Sequence, residues 1–142
     1  MSRYAVDASV VVKWFAPEIH SEHASRLLAH DDALLAPELL FIEVANVLWK
    51  QVRRGAATRG EATERLSGIS ARVLPIASVA LTASALNIAL VYDRSAYDAL
   101  YVALAISEGC QVITADRRLY NALAPHLPET MLWIEDVPEP AA

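Results

Sequence analysis

Residues 4–15 read YAVDASVVVKWF, and this stretch joins a short apolar strand pattern directly to a helical one. The first three residues predict a strand, and the apolar positions after the acid predict a helix over residues 8–15. Asp7 or Ser9 would cap the start of that helix, and Pro17 would end it. An acid between a strand and a helix is typical of the edge at which parallel sheets bind ligands.

The same alternation of short apolar runs and helical patterns continues along the chain. Further strands are predicted at residues 34–36, 73–74, 111–114 and 131–134. Helices are predicted at residues 21–30, from near Pro37 to Gly55, at residues 58–72, 79–90 and 96–108, and briefly after Asp116. This order predicts an α/β three-layer sandwich with a central, mainly parallel sheet flanked by helices. We assign residues 1–134 to a single domain and expect the acidic, Pro-rich tail, residues 135–142, to be frayed.

Composition narrows the class of protein. The chain has 142 residues, of which 55% are hydrophobic, so one domain can bury a core of ordinary size. Cys110 is the only cysteine, which excludes an intramolecular disulfide and a cysteine-based zinc site. The net charge of −5 argues against binding nucleic acid by bulk electrostatics, unless bound cations reverse the local field. Because the first residues lack the apolar core of a signal peptide, we expect a cytoplasmic protein.

Residues 73–92 contain no charged side chain and are long enough to cross a bilayer. Pro75, Asn87 and several alanines interrupt the stretch, and alanine contributes little to transfer into lipid. We therefore predict a buried helix here and no membrane span.

Four of the 17 carboxylates stand outside the charged contexts typical of helix surfaces. Asp7 and Asp116 follow predicted strands, so in a parallel sheet both lie at the carboxyl edge. Glu43 and Asp98 lie in helical segments that are otherwise almost wholly apolar. Asn46, three residues after Glu43, shares its helical face.

Each of these acids also has a purely structural explanation. Asp98 stands three residues after Ser95 and would complete a capping box, and Asp7 and Asp116 would cap the helices that follow them. Glu43 is harder to explain in this way, because a carboxylate on an apolar helix needs a partner or a proton. Four converging carboxylates would repel one another unless a cation neutralised them. Oxygen ligands without His or Cys select Mg²⁺, with Mn²⁺ as the alternative.

Such an ion suits hydrolysis of phosphodiesters, because it polarises the phosphoryl group and lowers the pKa of an attacking water. Ser9, Thr114 and Asn46 are predicted to orient the acids or a bound water. For Ser9 and Thr114, capping or local turn bonding is an equally good explanation.

These residues resemble the PIN-domain family, specifically VapC-type toxins of toxin-antitoxin pairs. The segments that carry the resemblance are residues 4–15, 43–48, 97–105 and 114–119. The resemblance implies a metal site formed by Asp7, Glu43, Asp98 and Asp116, and an endoribonuclease that cleaves RNA. It also implies a homodimer held inactive by a cognate antitoxin.

The resemblance implies an antitoxin and RNA as partners, and further residues are candidates for contacting them. Trp14, Phe15 and Trp49 would anchor an antitoxin, or would simply pack in the core. Basic residues beside the acids would contact RNA phosphates. We predict Lys13, Arg117 and Arg118 as the foremost of these, with Lys50, Arg53 and Arg54 as further candidates.

Two other functions remain open from the sequence. In a phosphatase or phosphotransfer domain Asp7 would be the covalent nucleophile, although such enzymes need a second aspartate where this chain has Ser9. A non-catalytic interaction module with the same fold is the other alternative, although none of the four acids is missing.

Overall fold

Five parallel strands form one sheet in the computed structural model, which describes residues 2–16 and 19–139. The strands are β1 (Arg3–Val6), β2 (Ala33–Pro37), β3 (Val73–Ile76), β4 (Gln111–Thr114) and β5 (Met131–Trp133). Their order across the sheet is β3-β2-β1-β4-β5, and each pairing is parallel. The fold class predicted from the sequence is confirmed.

Within the described residues, seven α-helices connect the strands. They are α1 (Ala8–Val11), α2 (Ser21–Leu27), α3 (Leu39–Arg53), α4 (Arg59–Arg72), α5 (Thr82–Tyr92), α6 (Ala96–Glu108) and α7 (Arg117–Leu123). Parallel crossovers are right-handed, so the helices before β3 and those after it cover opposite faces of the sheet. The strand order reverses between β1 and β4, and a crevice therefore opens beyond the carboxyl ends of these two strands.

Local signals in the sequence explain several of these boundaries. The Thr58 hydroxyl accepts from the Glu61 N–H, and the Glu61 carboxylate accepts from the Thr58 N–H, which is the predicted capping box at the start of α4. Gly109 adopts a left-handed conformation with φ of 64° and ends α6, as predicted.

The buried core consists of the inner strands and the helix faces that pack on them. β1 and β4 are almost wholly buried, and α6 buries residues on several sides because it packs across β1, β2 and β4. This position places the first turn of α6 beside the crevice.

The predicted boundaries differ from the structure at two helix ends. Pro37 is the last residue of β2, and α3 begins two residues later at Leu39, because the strand extends further than its apolar run suggests. The first helix is four residues long and continues as a 3-10 turn over Val12–Trp14. Its predicted end at Pro17 lies outside the described residues.

The C-terminal segment is described up to residue 139. Ile134–Asp136 forms a 3-10 turn in which Ile134 is buried, and the Arg26 guanidinium lies 2.7 Å from a carboxylate oxygen of Glu139.

The prediction of a buried helix within residues 73–92 is wrong. α5 buries only Ala85 and Ile88, and Leu90 is 75% exposed. Only one side of this helix packs on α6. The sequence did not show which side, because the helix is apolar without a clear periodicity. Within the described ranges, no helix has the length and apolarity needed to cross a membrane.

Candidate active site

Asp7 lies directly after β1, at the point where the strand order reverses, and its side chain is buried. Its Oδ1 accepts from the backbone N–H of Ser9 at 2.8 Å and from the Ser9 hydroxyl. Its Oδ2 accepts from the Thr114 hydroxyl at 2.6 Å. Asp7 therefore caps α1, as its structural explanation required, and is also held by two hydroxyl groups.

Both hydroxyls are oriented by backbone groups at the end of β4. The Ala115 N–H donates to the Ser9 Oγ at 3.0 Å, and the Asp116 N–H donates to the Thr114 Oγ1 at 3.0 Å. Since each oxygen already accepts a bond, its own proton is left to donate to Asp7. The network ties the ends of the two central strands together.

Burial makes the Asp7 carboxylate costly in its charged form. It raises the pKa of Asp7 from 3.8 to about 6, although the hydrogen bonds from Ser9 and Thr114 act in the opposite direction. The negative charge of Asp116 adds to the increase. A cation beside Asp7 would relieve both effects.

Glu43 lies on α3 and is half-buried, with a partner that the sequence reasoning did not identify. The Tyr101 hydroxyl donates to Oε1 of Glu43 at 2.9 Å. Burial raises the pKa of Glu43, the bond from Tyr101 lowers it, and the charge of Asp98 raises it. Glu43 and Asp98 are thus close enough for their charges to interact.

Tyr101 lies on α6, one turn after Asp98, so the spacing of three residues was an available signal. A buried tyrosine hydroxyl requires a partner, and Glu43 on the apolar helix α3 was an acid that also required one. The pKa of Tyr101 is strongly raised, first by burial and then by the charge of Glu43, with Asp7 and Asp98 contributing. The hydroxyl therefore stays protonated and acts as a donor.

Asp98 lies in the first turn of α6, and Ser95 is the residue that caps this helix. The Asp98 N–H donates to the Ser95 Oγ at 3.1 Å, so only one half of the predicted capping box forms. The Asp98 carboxylate instead lies 3.5 Å from the guanidinium of Arg94, a neighbour that sequence reasoning missed. The Nε of Arg94 is buried without a hydrogen-bond partner among the described residues.

Asp116 caps α7. Its Oδ1 accepts from the backbone N–H groups of Arg118 and Leu119 at 3.0 and 3.2 Å, so the helix-cap explanation holds for this acid as well. Among the residues that the structure describes, no hydrogen bond reaches its Oδ2. One carboxylate oxygen therefore remains for another ligand.

The structure arranges the four acids as two interacting pairs, Asp7 with Asp116 and Glu43 with Asp98. Tyr101 lies within reach of the charges of three of them. No group of three or more His, Cys, Asp or Glu side chains in the described part of the chain is close enough to hold a metal ion as it stands. The donor atoms are all carboxylate or hydroxyl oxygens, which fit a hard divalent cation.

The other predicted site residues differ in their surroundings. Asn46 is exposed on α3 and makes no side-chain hydrogen bond within the described residues. Lys13 is 7% exposed, so it does not present its charge to solvent. Arg118 is exposed, and the Arg117 guanidinium lies 3.7 Å from the ring centre of Trp133.

Trp14, Phe15 and Trp49 were expected either to anchor an antitoxin or to pack in the core. Trp14 and Phe15 pack against the core, and the Trp14 indole donates to the carbonyl of Ala24 at 2.8 Å. Trp49 is 54% exposed on α3. Core packing therefore explains the first two, and of the three only Trp49 is exposed.

Comparison with known proteins identifies the family. Residues 4–123 match the family model described as PIN domain. A relative named Ribonuclease VapC3, from Pyrobaculum aerophilum, is 37% identical over 120 residues, covering 82% of this chain and 92% of that protein.

Solved structures share the fold. PAE2754 from the same organism has a TM-score of 0.72 at 25% identity, covering 94% of this chain and 85% of that one. A toxin-antitoxin complex from Klebsiella pneumoniae has a TM-score of 0.62 at 13% identity, covering 84% and 92%, a likeness of fold alone. The chain belongs to the PIN-domain family and, within it, to the VapC-type proteins.

Proposed function

We propose that this protein is a cytoplasmic, divalent-metal-dependent endoribonuclease, the toxin of a type II toxin-antitoxin pair. The observation that carries the proposal is the buried Asp7 carboxylate, fixed by Ser9 and Thr114 at the reversal of the strand order and beside Asp116. The relative that is 37% identical is named a ribonuclease, which supports RNA as the substrate.

Asp7, Glu43, Asp98 and Asp116 would hold the ion, Mg²⁺ or Mn²⁺. When bound, such an ion supplies an activated water and stabilises the charge that develops on the phosphate. Ser9 and Thr114 keep the Asp7 carboxylate in one orientation, and Tyr101 does the same for Glu43. No hydrogen bond from the described residues reaches Oδ2 of Asp116, so this oxygen would be left to bind the ion while Oδ1 caps α7.

The charge interactions of Asp7 with Asp116 and of Glu43 with Asp98 are consistent with this role. Like charges repel, and without a cation the carboxylates gain nothing by approaching more closely. Both carboxylate oxygens of Asp7 accept hydrogen bonds, whereas among the described residues the Asp98 carboxylate contacts one basic group, the Arg94 guanidinium at 3.5 Å. The same fixation of Asp7 opposes its use as a covalent nucleophile in a phosphotransfer reaction.

The test is cleavage of RNA by purified protein with Mg²⁺, Mn²⁺ or EDTA, using Asp7→Asn and Asp98→Asn as site variants. Asp31→Asn is the matched control, because Asp31 is an exposed acid outside the site. We expect activity in the wild type and the control, and none in EDTA or in either site variant. Full activity in EDTA, or in both site variants, would refute the mechanism.

Two protein partners belong to the proposal. A cognate antitoxin is supported by Ile42, which is 69% exposed on α3 next to Glu43, so that a segment packed there would also cover the site. A homodimer is supported by the exposed apolar side chains of α5, namely Leu86, Leu90 and Val91. Co-expression with the neighbouring open reading frame and measurement of the mass in solution test these two points.

RNA contacts outside the acids are proposed for Arg117 and Arg118, which start the helix that Asp116 caps. Lys13 is proposed because it lies on the turn that follows α1. Its buried side chain argues against a direct contact with RNA. Replacing any one of these basic residues by Gln should weaken RNA binding. Loss of an acid should instead abolish cleavage.

A further inference from the structure

The end of the helical hairpin formed by α3 and α4 carries an isolated positive charge. Between Glu43 and Glu61 the chain has no acidic residue, yet it has four basic ones, and we call these the basic end: Lys50, Arg53, Arg54 and Arg59. All four are exposed. In a chain with a net charge of −5, this is an unusual concentration of positive charge.

No acidic side chain among the described residues neutralises the basic end. Arg3, Arg26, Arg65 and Arg94 each contact a carboxylate. Among the described residues, no carboxylate contacts any side chain of the basic end. Its charge is therefore available to an anionic partner.

An exposed aromatic ring lies within this surface. Trp49 lines a groove of about 570 Å³ between α3 and α4, together with Val52, Arg53, Arg59, Ala62 and Thr63. The Arg53 guanidinium lies 5.2 Å from the centre of the Trp49 ring. An aromatic surface beside unpaired arginines suits a stacked base with phosphates on either side.

Part of this surface is aligned with the proposed active site. Trp49 and Arg53 lie further around α3, in the groove toward α4. Lys50 follows Glu43 by seven residues and lies on the same side of α3. Arg54, the residue that caps the end of α3, follows Glu43 by eleven residues and continues this side. At 1.5 Å per residue, the basic residues lie about 10 and 16 Å along the helix from Glu43. A strand with its reacting phosphate at the acids would run along this side of α3.

We infer that the basic end and Trp49 form a docking surface for single-stranded RNA, which holds the strand on one side of the cleavage site. The inference rests on the proposed ribonuclease function and adds to it a binding surface remote from the acids. An acidic protein segment is the other anionic partner for such a surface, but it has no need of the alignment with Glu43.

Binding of a fluorescent single-stranded RNA of about 10 nucleotides, measured by anisotropy in EDTA at several salt concentrations, tests the surface without requiring cleavage. The charge variant is Lys50→Gln with Arg54→Gln, and the stacking variant is Trp49→Leu. The control is Arg3→Gln with Arg26→Gln, which removes the same charge from two exposed, ion-paired arginines. Melting curves confirm that each variant is folded.

We expect the charge variant to weaken binding about tenfold or more and to lower the slope of log affinity against log salt by about 1.4, from two lost phosphate contacts. The stacking variant should weaken binding about tenfold, as the loss of one stacked base does. The control should bind as the wild type does. Wild-type affinity in both the charge and the stacking variants would overturn the inference.

Two further results separate the alternatives. Binding of a polyglutamate peptide to this surface, without binding of RNA, would assign it to an acidic protein partner and overturn the inference. RNA binding that depends on Trp49, in a protein that cleaves RNA with neither Mg²⁺ nor Mn²⁺, would uphold the docking surface and overturn the ribonuclease function.

Discussion

The Tyr101 hydroxyl donates to Oε1 of Glu43 at 2.9 Å and so joins α6 to α3 across the candidate site. Its raised pKa keeps this hydroxyl protonated beside three acids whose charges reach it. A neutral donor in that position fixes one carboxylate without adding a positive charge that would compete with a metal ion. Tyr101 is therefore a positioning residue.

Replacing Tyr101 by Phe removes this donor and leaves the half-buried Glu43 carboxylate without its partner. We expect the free energy of unfolding to fall by about 1 kcal/mol, the usual net contribution of one hydrogen bond, because water still reaches the half-buried carboxylate. We also expect weaker binding of Mg²⁺ in titration calorimetry. Tyr97→Phe is the control, because Tyr97 is an exposed tyrosine on the same helix. Equal magnesium affinity in both variants would remove Tyr101 from the site.

Thr114 serves two groups at once, since its hydroxyl donates to Asp7 and accepts from the Asp116 N–H. Thr114→Val keeps the shape of the buried side chain but removes both bonds. We expect a loss of about 1 to 3 kcal/mol in urea unfolding. Thr63→Val is the control, because the Thr63 hydroxyl bonds only to a carbonyl of its own exposed helix. An unfolding midpoint like that of the control would contradict the network.

The buried charge of Asp7 predicts a pH dependence for the metal-free protein. The folded pKa of about 6 lies above the ordinary value of 3.8, so folding favours the protonated acid. The resulting stability is present below about pH 4 and is lost as the pH rises through 6. Full ionisation then costs about 3 kcal/mol, from the difference between the two pKa values.

Asp7→Asn cannot ionise and should avoid this loss. In EDTA we expect the variant to be more stable than the wild type at pH 7, by up to about 3 kcal/mol, with the advantage shrinking toward pH 4. Urea unfolding at several pH values measures the difference. Asp31→Asn should show no such trend, since Asp31 is exposed. An Asp7→Asn protein that is less stable at pH 7 would contradict the assigned cost of this charge.

The sequence predicted the fold where local signals were strong. The Thr58 capping box and Gly109 fixed helix ends, and the apolar run of β4 fixed a central strand. α5 was misjudged because an apolar helix shows no preferred side when nearly all its residues are alike. Which side is covered depends on α6, and a single sequence does not display that contact.

The candidate site was likewise predicted only in part. The positions of Asp7 and Asp116 after adjacent strands followed from parallel topology. The bonds from Tyr101 to Glu43 and from Arg94 to Asp98 join groups whose pairing depends on helix rotation and on packing between α3 and α6. Composition and periodicity locate such residues on a helix but leave their partners unspecified.

Addition of Mg²⁺ should stabilise the protein, because an ion that binds only the folded state shifts the unfolding equilibrium. At a free concentration of one hundred times Kd the gain is about 2.7 kcal/mol. It should be larger at pH 7 than at pH 5, since protonated Asp7 does not bind a cation. Thermal melting over a millimolar titration measures the effect, starting from protein treated with EDTA. The variant carrying both Asp7→Asn and Asp98→Asn should show no gain, whereas a wild type insensitive to Mg²⁺ would refute metal binding by these acids.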